Sequence, residues 1–415
     1  MTALVSVMNK HAVAIAADSA VTVTSPYGHK VINSANKVFT LSKYHPVGIM
    51  FCGNSNFMCT PIEVIVKLYR QQLGTKSFPY ISDYLQDLLE FIKKKHYFCS
   101  MEMQERTIAE NIDMFFSIMN NIAKEKAQKS KRKIVYEFIA VLNDLLFDKV
   151  ENCISFPNFS LEEFVSETSS LFTQCFVKNS NVFTDNRPLK TLFQKAFAKF
   201  VVRNNSNIPN ETQIVVVGYG EDEIFPSLKS VNLYWGFKDY FRYVEYIESA
   251  ITEVNSASIT RFGQTDIINT LINGINDSLK KSIQQIFTNF TFQLKKLMMD
   301  KVDTKFSKDT INSAINVEQL TSIFKTALDK EIRQNFIDPL INSLDILDKE
   351  DMAELVESLI SITHLNRRIT MSEEGVGGPI DVAIISKSDG FIWKKRKHYF
   401  KPELNQSFFD NYYRN

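Results

Sequence analysis

The stretch TALVSVMNKHAVAIAADSAVT, residues 2–22, decides how the rest of the chain is interpreted. Two short runs rich in small and β-branched residues, 3–7 and 12–17, flank a polar turn at Asn9-Lys10. Runs of this length and composition on either side of a turn are typical of a β-hairpin. The sequence therefore predicts that the chain opens with two antiparallel strands.

Two polar residues mark the ends of this hairpin. Thr2 stands directly behind Met1, and Asp18 closes the second run. If Met1 is removed, Thr2 presents a hydroxyl and a free α-amine on adjacent carbons, which is a nucleophile that carries its own base. The N-terminus has no basic region followed by an apolar stretch, so we expect a cytoplasmic protein without a signal peptide.

The same strand pattern continues beyond the hairpin. Two further apolar runs, 37–41 and 47–52, predict a second pair of strands, with Lys37 opening the first run and Gly53 following the second. The remaining sequence alternates between long helical stretches and short strand-rich ones. The predicted order is four strands, helices, strands, helices and two closing strands. The first and last strands are almost continuously apolar, which is typical of a sheet covered on both faces.

Charge and cysteine content exclude several functional classes. The chain has 48 basic and 47 acidic side chains, so we expect no nucleic-acid partner and no general attraction to an acidic membrane. No run of about 18 apolar residues predicts a membrane span. The five cysteines are odd in number and form no CxxC, so we expect neither a metal site nor a disulfide framework, and no cofactor.

The order and spacing of these residues resemble a known superfamily. Residues 2–53 resemble the proteasome β-subunits and their bacterial relatives, which are N-terminal-nucleophile (Ntn) hydrolases. The resemblance rests on Thr2 at the start of the first strand, Asp18 in the turn after the second, Lys37 before a small apolar pair, and Gly53 at the end of the fourth strand.

Three later segments extend the resemblance. QIVVVGYG at 213–220 is similar to the family's central strand, and RFGQT at 261–265 to the turn that opens its next helix. EEGVGGPIDVAIISKSDGF at 373–391 is similar to its acidic loop, Gly-Gly turn and last strands. The resemblance implies an α+β fold, a four-layer αββα Ntn-hydrolase sandwich with inserted helical regions. The implied boundaries are 1–74, 206–274 and 351–415 for the core, with 75–205 and 275–350 as helical insertions.

The resemblance also implies a role for each site residue. Thr2 would be the nucleophile and its α-amine the base. Lys37, held charged by Asp18, would lower the pKa of the hydroxyl and of the amine because a positive charge lies near both. The backbone N–H of Gly53 would stabilise the oxyanion.

The implied substrate-binding residues are Thr22, Phe51 and Ser55. Thr22 would hydrogen-bond an extended substrate backbone, and Ser55 lies in the loop after Gly53. Phe51 would line the first substrate pocket and make that pocket small or closed.

Three accessory positions depart from the family's pattern. Phe262 stands where the family has a serine that contacts the nucleophile, and a phenyl ring cannot donate a hydrogen bond there. Glu373 and Val376 stand where the family has Asp and Ser before the Gly-Gly turn. The hydrogen bonds around the nucleophile are therefore expected to differ from those of the family.

The leading hypothesis is a threonine-type amide hydrolase or peptidase that acts on a peptide or amide substrate. Self-association into a homo-oligomer, or docking of a partner protein on the helical insertions, is also expected from the resemblance. Two alternatives stay open. One is a scaffold or recognition subunit that keeps the fold without the chemistry, and the other is a small-molecule amidase or acyl transferase on the same fold.

Overall fold

The computed structural model describes most of the chain. The described ranges are 2–25, 28–147, 160–184, 186–203, 211–301, 315–370, 376–398, 400–407 and residue 410. Met1 and the candidate accessory residue Glu373 lie outside these ranges.

The strands form two antiparallel sheets of five strands each. The first sheet has the strand order β12-β1-β2-β13-β14, and the second has the order β11-β10-β9-β6-β5. The strands of the first sheet are β1 (Ala3–Asn9), β2 (Val13–Ala17), β12 (Ala257–Gly263), β13 (Asp381–Ser386) and β14 (Gly390–Lys395). Those of the second are β5 (Val38–Thr40), β6 (Val47–Gly53), β9 (Thr212–Gly218), β10 (Ser227–Phe237) and β11 (Tyr240–Ala250). The predicted opening hairpin and second strand pair are both confirmed.

Two short strand pairs lie outside the large sheets. The sequence patterns did not predict either of them. They are β3 (Val21–Ser25) with β4 (Gly28–Ile32), and β7 (Asn56–Phe57) with β8 (Thr60–Pro61).

Helices occupy most of the remaining described chain. In chain order they are α1 (Ile62–Leu73), α2 (Ile81–Lys94), α3 (Met101–Ser130), α4 (Ile134–Phe147), α5 (Leu161–Lys178), α6 (Ser180–Phe183), α7 (Arg187–Val201), α8 (Asp266–Asn273), α9 (Asp277–Asp300), α10 (Val317–Ile332), α11 (Asp338–Asp345) and α12 (Lys349–Ile369). Among the helices that the structure describes, not one combines the length and apolar character needed to cross a bilayer.

The start of the chain is held inside the first sheet. Strand β1 pairs with β2 on one side and with β12 on the other, in a register that sets Ala3 opposite Gly263 and Leu4 opposite Ala17. Every residue of β1 and β2 is buried, because both faces of this sheet are covered. The register therefore fixes where Thr2, the residue before β1, must lie.

Three buried clusters show what covers each sheet. Alternate residues of the two sheets, such as Leu4 and Met50, share one cluster, so the sheets face each other. The other face of the first sheet packs on α8, α11 and α12, and the other face of the second sheet packs on α1 and α2. The chain is thus a mixed α and β structure built on antiparallel sheets, as expected.

Helices α3 to α7 build a separate core that is rich in phenylalanine. Phe193 is fully buried there, with its ring centroid 5.2 Å from those of Phe115 and Phe183. This core continues into the second sheet through Trp235, whose ring stacks on Phe164. The helical region is therefore packed against the end of β10 and is not a detached arm.

Candidate active site

Asp18 is the centre of the candidate site. It directly follows β2 and is fully buried. Its Oδ1 accepts hydrogen bonds from the backbone N–H of Ala3 at 3.0 Å and from Nζ of Lys37 at 2.7 Å. Its Oδ2 accepts from the backbone N–H groups of Ala20 at 3.1 Å and of Gly377 at 3.2 Å. One carboxylate thus ties together the start of the chain, the lysine and the loop before β13.

Lys37 directly precedes β5 and is 1% exposed. Its Nζ donates to the backbone carbonyl of Ala20 at 2.5 Å as well as to Asp18. Burial lowers the pKa of Lys37 below its ordinary value, and the negative charge of Asp18 opposes that effect. Burying two charges costs desolvation energy. The short contact between Asp18 and Lys37, together with the hydrogen bonds that each makes to the backbone, offsets this cost.

Thr2 is 5% exposed and lies beside the end of β12. Its carbonyl oxygen accepts a hydrogen bond from the backbone N–H of Gln264 at 2.7 Å. Gly263 adopts φ +75°, and a Cβ atom at that position would lie 2.0 Å from the same oxygen. Only glycine fits such a close approach at a positive φ.

Gly53 ends β6 and is exposed. Its φ is +83°, and a Cβ atom there would lie 2.4 Å from the carbonyl oxygen of Glu211. That oxygen also accepts the backbone N–H of Asn54 at 2.9 Å, and the hydroxyl of Thr212 donates to the Asn54 carbonyl at 3.0 Å. The loop after β6 is therefore held in place by the start of β9.

Cys52 lies next to this loop and close to the buried Lys37. It shares the cluster between the sheets with Leu4, and its thiol interacts electrostatically with Lys37. Burial raises the pKa of Cys52 to about 12, although the charge of Lys37 acts in the opposite direction. The end of β6 and the Asp18–Lys37 pair thus belong to one region of the molecule.

The residues predicted to bind substrate lie in three different settings. Thr22 is half-buried on β3, opposite Val31. Ser55 is half-buried in the loop, where its carbonyl accepts the N–H of Ile62 at 2.9 Å. Phe51 is 4% exposed and lies in the cluster that β6 shares with α1 and α2. The Phe51 side chain therefore fills the core and does not line an open pocket.

Two of the three accessory residues are buried in the core. Phe262 is 2% exposed and fills the core between the sheets, opposite Leu4 in the register. The backbone of Gln264, two positions later, donates to the Thr2 carbonyl. Val376 is buried in the cluster that the first sheet shares with α12. The third accessory residue, Glu373, lies outside the described residues.

Two residues near Asp18 were not identified from the sequence as site residues. Gly377 binds Asp18 through its N–H, and it belongs to the Gly-rich segment that the resemblance had already singled out. His364 on α12 is half-buried, and its pKa is lowered by burial while the charge of Asp18 raises it. Its Nε2 is buried and has no hydrogen-bond partner among the described residues. A single histidine in an amphipathic helix gave no signal in the sequence.

The described residues also lack the arrangements that bind metal ions. Within the described ranges, no group of three or more His, Cys, Asp or Glu side chains is arranged to hold a metal ion.

Comparison with known proteins gives structural neighbours only. No protein-family model and no curated protein matches the chain. Anbu (ancestral beta-subunit) from Yersinia bercovieri aligns over 99% of this chain and 94% of that chain, with 8% identity and a TM-score of 0.27. The helical assembly of the Anbu complex from Pseudomonas aeruginosa aligns over 99% and 93%, with 7% identity and a TM-score of 0.28. Anbu from Hyphomicrobium sp. strain MC1 aligns over 100% and 97%, with 8% identity and a TM-score of 0.28.

These values correct the assignment made from the sequence. The assignment to the proteasome β-subunit-like Ntn hydrolase superfamily is wrong, because no family model matches and the similarity to Anbu proteins is only a distant fold relationship. Alignments with TM-scores of 0.27–0.28 carry no argument about activity. The chemistry of this chain has to follow from its own residues.

Proposed function

We propose that the chain is an amide hydrolase that uses Thr2 as an N-terminal nucleophile after removal of Met1. The observation that carries this proposal is the shared oxygen of Asp18, which binds both the N–H of Ala3 and Nζ of Lys37. The buried carboxylate thus holds Lys37 close to the backbone of Ala3, which supports a role for the residue directly before it.

The second support is the number of donors that Lys37 has available. A lysine ammonium has three N–H donors, and Asp18 and Ala20 accept two of them. Within the described ranges, the third N–H has no protein acceptor. It is therefore available to a neighbouring hydroxyl. The charge of Lys37 also favours ionisation of a nearby hydroxyl.

In the proposed reaction, Thr2 and Gly53 have different roles. The Thr2 hydroxyl attacks the amide carbonyl, and the free α-amine accepts its proton, directly or through a water molecule. The N–H of Gly53 stabilises the oxyanion, a contribution worth on the order of a hundredfold in rate. The amine leaving group takes a proton, and water then hydrolyses the ester on Thr2. The requirement for a glycine at φ +83° supports a special role for this loop.

The proposal includes a layered architecture around the site. Helices α11 and α12, the first sheet, the second sheet and helices α1 and α2 would form a four-layer αββα sandwich. The three shared clusters support this order. The regions 75–205 and 275–350 would be insertions into that core. Self-association, or docking of a partner on the inserted helices, stays a prediction.

A fused leader with a specific cleavage site directly before Thr2 tests the proposal. The uncleaved protein keeps the Thr2 hydroxyl but blocks its amine, so it should not hydrolyse fluorogenic peptide amides. Cleavage should switch the activity on. The cleaved Thr2→Ala variant should lose at least about a thousandfold in rate, and the cleaved Thr2→Ser variant should keep part of it.

Two results would overturn the role proposed for Thr2. One is equal activity before and after cleavage, which would show that the free amine has no role. The other is continued hydrolysis by the cleaved Thr2→Ala variant, which would place the nucleophile elsewhere. If no variant hydrolyses any peptide or small amide while all remain folded, the scaffold alternative replaces the enzyme.

A further inference from the structure

Two cysteines lie on loops that contact each other. Cys59 lies between β7 and β8 and is exposed, whereas Cys99 follows the short helical turn His96–Phe98 after α2 and is half-buried. Each thiol lies against the residue that precedes the other cysteine. Sγ of Cys59 is 3.8 Å from the carbonyl oxygen of Phe98, and Sγ of Cys99 is 3.8 Å from Sδ of Met58.

The surrounding backbone holds these loops in place. The hydroxyl of Thr60 donates to the carbonyl of Phe98 at 3.0 Å, which joins the two loops directly. The turn itself is strained, because His96, Tyr97 and Phe98 all have a positive φ. Tyr97 secures it, since its ring is buried and its hydroxyl donates to the carbonyl of Lys238 at 2.9 Å. Cys99 is therefore presented to Cys59 by a fixed turn.

The accessibility of the thiols separates this pair from the other described cysteines. Cys52 and Cys175 are buried, and burial raises the pKa of each thiol to about 12. Cys59 is exposed, so an oxidant in solution can reach its sulfur. Burial, with a smaller effect of Cys59, raises the pKa of Cys99 to about 11, which keeps Cys99 as a thiol beside its exposed neighbour.

We propose that Cys59 and Cys99 form a reversible dithiol–disulfide pair whose co-reactant is a hydroperoxide. The Cys59 thiolate attacks one peroxide oxygen, the O–O bond breaks, and Cys59 becomes a sulfenic acid while the leaving oxygen takes a proton. The Cys99 sulfur then attacks the Cys59 sulfur, the S–O bond breaks, and water leaves. In total two thiols lose two electrons and two protons, and one hydrogen peroxide becomes two water molecules. An external thiol reverses the step by thiol–disulfide exchange.

A disulfide between Cys59 and Cys99 would restrain the loop after Gly53. The β7–β8 hairpin follows Gly53 in the chain, and Asn56 at its start accepts a hydrogen bond from Thr212 at 3.1 Å. A disulfide would tie this hairpin to the end of α2 and restrain the loop beside the candidate active site. The bond itself does not depend on whether the chain hydrolyses amides.

Peptide mapping of the full-length protein tests this pair. The reduced chain is treated with equimolar hydrogen peroxide, unfolded, alkylated with iodoacetamide and digested with trypsin. We expect a cross-linked peptide pair, 44–67 with 96–106, and the loss of two alkylation adducts, both reversed by dithiothreitol. Because 44–67 contains Cys52 as well as Cys59, the Cys52→Ala variant is the matched control and should keep the link. Cys59→Ser and Cys99→Ser should each abolish it.

Three results would overturn the proposal. In the first, both thiols remain open to alkylation after peroxide treatment. In the second, Cys59 proceeds to sulfinic acid in the wild type although Cys99 is present. In the third, the cross-link disappears in Cys52→Ala but persists in Cys59→Ser. Circular dichroism of each variant confirms that the comparison is made on folded protein.

Discussion

The backbone of Gly263 runs so close to Thr2 that a Cβ atom on Gly263 would lie 2.0 Å from the Thr2 carbonyl oxygen. The next residue, Gln264, donates its N–H to the same oxygen. The position of Thr2 therefore depends on a strand that lies far away in the sequence and on the absence of a side chain there.

The first prediction concerns this contact. Gly263→Ala must push the Thr2 backbone away, because the atom in conflict is main chain and cannot rotate aside. A displacement of about 1 Å at a reacting group costs on the order of a hundredfold in rate, so we expect a loss of that size in amide hydrolysis. Steady-state kinetics on the chain that begins at Thr2 measures it.

Gly390 provides the matched control for backbone strain. It has the same φ of +75°, but an added Cβ would meet nothing within 4 Å. Gly390→Ala should lower the free energy of unfolding by about 1–2 kcal/mol without changing the rate of hydrolysis. Equal activity of Gly263→Ala and the wild type would contradict the placement of Thr2.

The second prediction concerns the buried ion pair. Lys37→Ala leaves the Asp18 charge buried without its partner, so the free energy of unfolding should fall by about 3–5 kcal/mol. Replacing both residues, as in Asp18→Asn with Lys37→Met, should recover part of this stability but none of the activity. Urea unfolding and amide hydrolysis measured on the same samples separate the two effects.

An exposed ion pair serves as the comparison for this series. Lys67 lies 2.5 Å from Glu63, but the two side chains are 52% and 34% exposed. Lys67→Ala should change the free energy of unfolding by no more than about 1 kcal/mol and leave hydrolysis unchanged. Similar losses for Lys37→Ala and Lys67→Ala would contradict the buried pair.

Local sequence patterns predicted the strands but not their partners. The hairpin of β1 and β2 follows from composition and a turn, because both strands are adjacent in the chain. The contact of Gln264 with Thr2 depends on the register of β12 against β1, which no local pattern specifies. The sequence interpretation considered only Phe262, whereas in the structure the backbone N–H of Gln264 binds the Thr2 carbonyl.

Strand alternation explains a second difference. Successive side chains on a strand point to opposite faces, so Phe51 and Cys52 cannot both face the space between the sheets. Cys52 does so, near Lys37, and Phe51 faces α1 and α2. One face of β6 packs on α1 and α2, and the other packs on the first sheet. The sequence around β6 does not specify which face meets which of these elements.

The third prediction concerns pH. Burial lowers the pKa of His364 below its ordinary value of 6.5, so the unfolded chain binds this proton more readily than the folded chain does. Stability from this group is therefore complete above pH 6.5 and is lost as the pH falls through the lowered pKa. The His364→Gln variant should show a smaller decline over that range. The difference between the two unfolding curves, measured at several pH values, isolates the effect from other groups.

The fourth prediction tests helices α3, α4, α5, α6 and α7 as a packed unit. Phe193 is fully buried among the rings of α3 to α7, so Phe193→Ala should lower the free energy of unfolding of this region by about 3–5 kcal/mol. Hydrogen exchange should rise in these helices, while β1 and β2 remain protected. Phe147, on α4 and 82% exposed, is the control, and Phe147→Ala should change stability by about 0.5 kcal/mol or less. Equal loss of protection in β1 would mean that the helices and the sheets unfold together.

Intact mass spectrometry of the purified chain, before and after a β-lactone or epoxyketone that labels N-terminal threonine, tests the central claim most directly. The account predicts a chain that lacks Met1 and gains one inhibitor, with the adduct on Thr2 and none on Thr2→Ala. A folded chain that begins at Thr2 and stays unlabelled, or one labelled at another residue, would contradict it.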